Sequence, residues 1–153
     1  MKKKFAIIGL GQFGMTIAKT LSKKQAEVIA IDKEIEKVDE IKEFVSHAVA
    51  LDATDKQALL NQNIQGVDAV IIAIGEDFKS MILCANILVE LSIKRIIGRV
   101  MGENERLILQ KLGITEILSP EDDLGRTITN SLLNPNILFS LELPDNYLIA
   151  EIK

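Results

Sequence analysis

The hydrophobic positions of this chain fall into two kinds of stretch that take turns along it. Short runs that are apolar almost throughout occur at 4–8, 27–31, 48–51, 68–74, 94–100 and 114–118. Runs of that length with no polar alternation predict strands buried on both faces, as in the middle of a parallel sheet. Between them lie stretches whose apolar residues recur at three and four, the spacing of one helical face. They cover 15–23, 33–44 with Ile35, Val38, Ile41 and Val45, then 56–62, 78–91 with Ile82, Ala85, Leu88 and Val89, and finally 103–112 and 124–133. Local signals mark several boundaries: Thr54 or Asp55 as N-cap of the third helix, a break at Gly66, a C-cap at Gly113, and Asn134-Pro135 after the last helix. Six strands alternating with helices predict an α/β fold, a Rossmann-like doubly wound parallel sheet with right-handed crossovers. The expected strand order is 3-2-1-4-5-6, with a ligand at the carboxyl ends where strands one and four diverge.

The end of the chain departs from that plan. Residues 137–143 and 147–152 read as two strands around a Pro144-Asp145-Asn146 turn. Two strands alone are at best a marginal hairpin. They are therefore expected to pair with another subunit or to begin a further domain, and truncation of a longer polypeptide is the expectation adopted. The predicted organisation is a nucleotide-binding domain over 1–134, including the last helix, and a linker and β tail over 135–153 leading to an absent C-terminal lobe.

Composition narrows the classes. A chain of 153 residues suits one core, and a hydrophobic fraction of 48% suits a sheet covered on both sides. A net charge of -4 gives no general reason to bind nucleic acid, and Lys2-Lys3-Lys4 reads as a solubilising leader. The single cysteine, Cys84, lies in an apolar helical run and reads as a small buried hydrophobe. No apolar stretch has the length of a membrane span and no signal-peptide core is visible, so a cytosolic location is expected.

The chemistry centres on Ile8-Gly9-Leu10-Gly11-Gln12-Phe13-Gly14, where the first strand runs into Gly-x-Gly-x-x-Gly and then a helix. Gly9 serves the turn, Gly11 lets the backbone approach a pyrophosphate, and Gly14 lets helix and strand pack closely, with the anion on the helix N-terminus. The second strand ends in Asp32, about 20 residues on, where a ribose would present its hydroxyls. Asp52, Ala53 and Thr54 follow strand three and either border an adenine or cap a helix. Ile74, Gly75 and Glu76 follow strand four, with Gly75 allowing ligand or backbone to approach. Arg99, Val100 and Met101 follow strand five, Arg99 being either a phosphate partner or part of a surface ion pair. Glu121 follows strand six and either holds a divalent ion against phosphate or caps the last helix. The only histidine, His47, opens strand three and reads as structural, and the only tyrosine, Tyr147, belongs to the tail. No Ser/Tyr/Lys or Cys/His constellation accompanies the nucleotide site, so the sequence presents a nucleotide site without an evident active site.

Together, the glycine loop, Asp32, the Asp52-Ala53-Thr54 step, Val70 to Glu76 and Ile117-Leu118-Ser119-Pro120-Glu121 resemble the RCK (KTN, TrkA-N) domain, in particular that of Ktr-type regulatory subunits of bacterial potassium uptake systems. The resemblance runs from about residue 4 to the end. It implies a gating subunit: homodimers assembled into an octameric ring beneath a membrane-embedded potassium-translocating partner, at the inner face of the cell membrane. It implies ATP or ADP, or NAD(H), in the Rossmann cleft, with Mg or Ca accompanying ATP. The ligand positions it implies fall on Gln12, Asp32, Lys33, Glu34, Asp52, Ala53, Ile74 to Glu76, Arg99 to Met101, Glu105 and Glu121, the last beside the terminal phosphate and its cation. The last helix resembles a dimer crossover element, with Leu124, Ile128, Leu132 and Leu133 as its apolar face. Gln12 stands where Ktr-type subunits usually carry arginine, which puts the preference for ATP over ADP in question. The alternative reading is an NAD-dependent oxidoreductase domain separated from its substrate half.

Overall fold

The computed structural model describes residues 2–142 and 147–152. The chain divides into two compact units, Met1–Leu118 and Ser119–Lys153. In the first, β1 (Lys4–Ile8), β2 (Glu27–Asp32), β3 (His47–Ala50), β4 (Ala69–Ile72), β5 (Ile96–Arg99) and β6 (Glu116–Leu118) form one sheet in the order β3-β2-β1-β4-β5-β6. All five pairings are parallel, with Ile7 of β1 opposite Ala30 of β2 and Ile71 of β4. This is the doubly wound sheet that the apolar runs predict.

Alternate residues of each central strand feed two cores. Ala6, Ile8, Ile29, Ile31, Val70 and Ile72 face one way, into a cluster with Leu59, Met81, Cys84, Leu88 and Leu109. Those partners come from α3 (Lys56–Asn61), α4 (Phe78–Glu90) and α5 (Glu103–Lys111). Ile7, Val28, Ala30, Ile71 and Ala73 face the other way, onto Met15 and Ala18 of α1 (Gln12–Lys23) and Val38 and Ile41 of α2 (Ile35–Ile41). Each fully buried isoleucine contributes roughly 2–3 kcal/mol from apolar area removed from water. Cys84 is one of these core residues, and burial pushes its thiol up to about 12. It packs as a hydrophobe, in line with the sequence.

The elements differ from their predicted spans at their ends. Helix α1 begins at Gln12, three residues before the expected 15, because extended Gly11 serves as its N-cap. The glycine motif thus folds into the helix itself. Helix α2 stops at Ile41, and beyond it Phe44 is exposed. Asp55 rather than Thr54 caps α3, accepting the amides of Gln57 and Ala58.

In the second unit, α6 (Pro120–Leu133) is followed by antiparallel β7 (Ile137–Glu142) and β8 (Leu148–Ile152). The helix starts earlier than 124 because Pro120, which has no N–H to satisfy, suits a first turn, and Glu121, Asp122 and Asp123 complement its dipole. The predicted Pro144-Asp145-Asn146 turn lies outside the described residues. No side chain of α6 is buried, and Leu124, Ile128, Leu132 and Leu133 are 51–77% exposed.

A close backbone approach joins α1 to the loop before it. A Cβ on Gly14 would overlap the Gly9 carbonyl oxygen and lie 3.1 Å from Ala73 Cβ. Alanine normally stabilises a helix interior relative to glycine. Here Gly14→Ala is expected to cost about 3 kcal/mol or more through overpacking. Urea denaturation measures it, and an unchanged midpoint would show that the contact relaxes freely.

Candidate functional site

The carboxyl ends of β1, β2 and β4 meet at the glycine loop. Gly9 sits at φ 97°, a left-handed conformation that favours glycine, and donates its N–H to Ile31 O at 2.8 Å. A side chain there would meet Ala73 C and Ile74 N at 2.8 Å. The next amide, Leu10 N, donates to Asp32 Oδ2 at 2.6 Å, and Asp32 Oδ1 accepts the Glu34 amide at 2.9 Å. Asp32 is thus buried at the tip of β2 with both oxygens engaged. Each oxygen retains acceptor capacity for an incoming hydroxyl.

Gly11 differs from its two neighbours in the motif. It has ordinary extended backbone angles, φ -65° and ψ -177°, and beyond its chain neighbours no protein atom lies within 4 Å of where its Cβ would stand. Nothing in the fold itself requires glycine here. The absent side chain leaves open the space in front of the first amides of α1, whose N-cap supplies no side-chain acceptor and whose first turn holds no acidic residue. An anion there would meet unscreened N–H groups and the positive end of the helix dipole.

Around this centre, Lys33 after β2 reaches Asp77 at the start of α4, Nζ to Oδ2 3.5 Å. Asp77 also caps α4 through the Ser80 amide and hydroxyl, bonds that hold its carboxyl below the usual range. Asp52 accepts the Thr54 amide at 2.9 Å and the Thr54 hydroxyl at 2.7 Å, and these bonds lower its pKa. Lys37 bonds Glu34 at 2.9 Å, and that hydrogen bond leads the causes raising its pKa, with Asp32 and Glu76 adding to it. Asp77 and Lys37 were not singled out in the sequence. The Asp-x-x-Ser cap at 77–80 was the readable signal for the first, and the surface charge on α2 offered none for the second.

Opposite the loop, Arg99 ends β5 with its guanidinium carbon 5.4 Å from the centre of the Phe13 ring. A Cβ on Gly75 would stand 2.7 Å from Arg99 Nη1, so the space above Gly75 is occupied by this arginine. Ala53 and Val100 are buried, Ile74 is half-buried against the core, and Gln12, Glu76 and Met101 are exposed. The Glu105 carboxylate accepts the Met101 amide at 2.6 Å and so fixes the loop entering α5. His47 opens β3, its Nε2 2.9 Å from Gln62 Oε1, at the strand end remote from the glycine loop. Glu121 lies in the first turn of α6, in the second unit. Among the described residues no group of three or more His, Cys, Asp or Glu side chains is placed to hold a metal ion.

A parallel sheet whose strand order reverses between β1 and β4, a glycine loop feeding a helix N-terminus, and a carboxylate at the tip of β2 define a Rossmann-type domain. The chain belongs to the TrkA-N domain family, whose model matches residues 5–120. It is 40% identical over 152 residues to the Ktr system potassium uptake protein C of Bacillus subtilis (strain 168), covering 99% of this chain and 69% of that protein. Among solved structures, the Shewanella denitrificans Kef CTD in AMP-bound form superposes with a TM-score of 0.71 at 18% identity, over 86% of this chain and 82% of that one. The GsuK channel bound to NAD also superposes at 0.71, with 15% identity, over 82% of this chain and 23% of that one. At such identities the likeness is one of fold. Among the described residues no helix is long and apolar enough to cross a membrane.

Two outcomes follow from this geometry. Gly11→Ala is expected to cost about 1 kcal/mol in urea denaturation, since glycine is preferred to alanine at an N-cap, leaving the fold in place while nucleotide binding measured by calorimetry is expected to be lost. Asp52 has a depressed folded-state pKa, so its contribution to stability is present above the unfolded value of about 4 and fades as pH falls through the lower folded value. Asp52→Asn should therefore be less stable than the parent at neutral pH, with the gap closing in acid; a gap independent of pH would exclude the Thr54 bonds as its source.

Proposed function

We propose that this chain is the nucleotide-sensing domain of a cytosolic subunit that gates a potassium uptake system, a regulator and not an enzyme. The observation that carries the reading is the 40% identity to a Ktr uptake protein along almost the whole chain. The cleft supports it, since Gly11 leaves the α1 N-terminus open for an anion and Asp32 stands at the ribose position. The placement of His47 at the far strand end, bonded to Gln62, supports a binding role over hydride transfer. The ligand is an adenine nucleotide, ATP or ADP in preference to NAD(H), lying across Gly9 to Gly14 with its ribose on Asp32 and its base bordered by Lys33, Glu34, Asp52 to Thr54 and Ile74 to Glu76. AMP and NAD, the ligands named for two proteins of the same fold, share that adenosine half. Asp32 disfavours a 2′-phosphate by like charge.

In this reading the apolar face of α6 is covered by a second copy, and dimers assemble into an octameric ring under a membrane-embedded potassium-translocating partner. The first 134 residues act as the sensing domain, and the tail leads into a further lobe. A nucleotide shifts the ring only by its differential affinity for two geometries.

The first test is calorimetric titration of ATP, ADP, NADH and NAD, with and without magnesium. Asp32→Asn keeps one oxygen for the Leu10 amide but loses its charge, and is expected to weaken ATP and ADP binding at least about tenfold, the scale of a charge-assisted hydrogen bond. Unchanged affinity would remove Asp32 from the site. In small-angle scattering of the assembled protein, ATP and ADP are expected to give distinct profiles. Superimposable curves would count against gating by exchange of the two.

A further inference from the structure

We infer that Phe13 and Gly75 act together to seat the Arg99 guanidinium beside the N-terminus of α1, where it serves as the cation that grades ligands by their phosphate charge. The inference rests on the nucleotide cleft proposed above and assigns a division of labour within it. Three observations carry it. The Arg99 guanidinium carbon lies 5.4 Å from the centroid of the Phe13 ring, within the range of a cation–π contact. Gly75, at the end of β4, leaves the volume that Nη1 occupies, for a Cβ there would come within 2.7 Å. Gly75 has no left-handed φ, so backbone conformation does not account for its being glycine. A methyl there would push the end of the arginine side chain aside.

The electrostatics then point to an anion. Phe13 is the second residue of α1, so Arg99 is held near the positive end of that helix dipole, where a cation is disfavoured. The negative face of the ring offsets part of that repulsion and fixes where the planar group stands. A phosphate chain lying on the α1 amides would meet both positive elements at once. Gln12, the exposed first residue of α1 beside Phe13, brings no charge of its own. The phosphate-dependent part of the affinity therefore falls to a residue on β5, positioned by one from α1 and one after β4.

Phe13 is thus a positioning residue, and its test needs a readout that loss of packing would not move. That readout is the ratio of affinities for AMP, ADP and ATP, measured by calorimetry on the full chain without magnesium. In the parent the series should tighten with each phosphate. Arg99→Gln should flatten it, lowering ATP affinity about tenfold and AMP affinity much less, the scale of one lost charge-assisted contact. Phe13→Leu and Gly75→Ala should flatten it too, with the arginine present but displaced. Phe13→Tyr, which keeps the ring, should restore the parent ratio. Asp32→Asn should weaken all three ligands alike and leave the ratio intact. If Arg99→Gln preserves the ratio while the parent binds nucleotides, the assignment of Arg99 is wrong and the cleft stands. If only Phe13→Leu preserves it, Arg99 acts without the ring and the positioning role is overturned. If the parent binds none of the three, both the cleft and this inference fall.

Discussion

The hydrogen bond from the Leu10 amide to the buried Asp32 carboxylate is the contact on which the site depends. It ties the turn after β1 to the tip of β2, and with the Gly9 amide on Ile31 O it fixes the direction in which the chain leaves the sheet. Only along that path can Gly14 slide under the Gly9 carbonyl, and only then does α1 begin at Gln12 with its amides facing open space. The same carboxylate therefore shapes the loop at the place where the proposed ligand would lie.

The three glycines of the motif answer to different constraints, which explains why a sequence pattern alone is a poor guide to them. Gly9 is dictated by a left-handed φ and by the backbone of Ala73 and Ile74. Gly14 is dictated by the Gly9 carbonyl. Neither fact concerns a ligand, and both would hold in a domain that bound nothing. Gly11 alone faces empty space, so it is the one whose identity the fold leaves unexplained. A structural turn would need the first and third; a phosphate site needs the second.

Much of this was legible because buried parallel strands have a distinctive composition. Val70 to Ala73 carry no polar residue, and the structure buries every one of them. The strand order followed from the doubly wound pattern that a strand, glycine turn and helix open, rather than from any residue of the strands. Element ends were less legible, since propensity does not report backbone hydrogen bonds. Gly11 looked like loop, yet its extended geometry starts α1 three residues sooner than the apolar spacing suggested. Gly75 is the more instructive case. Its position after a central strand invited a ligand-approach explanation, but the group that fills its volume is Arg99, from a strand end 24 residues away. Side-chain placement across neighbouring strands is set by register, and register appears only in the folded chain.

The two ends of the cleft differ in kind, and that difference bears on regulation. On the β2 side the groups presented are acceptors, Asp32 with Glu34, Asp52 and Glu76 nearby, Glu34 already paired with Lys37 and Asp32 and Asp52 with backbone amides. On the α1 side they are donors and positive charge, the first-turn amides and Arg99 over Phe13. In the proposed reading a nucleotide lies across such a site with its hydroxyls to the carboxylate and its phosphates to the helix. Ligands that share an adenosine half would then make the same contacts on the acceptor side, which would contribute affinity without distinguishing them. Discrimination would arise at the donor end, where the ligands differ in charge. A device that responds to which nucleotide is bound needs its movable or coupled parts at that end, because a shared contact cannot bias one state over another.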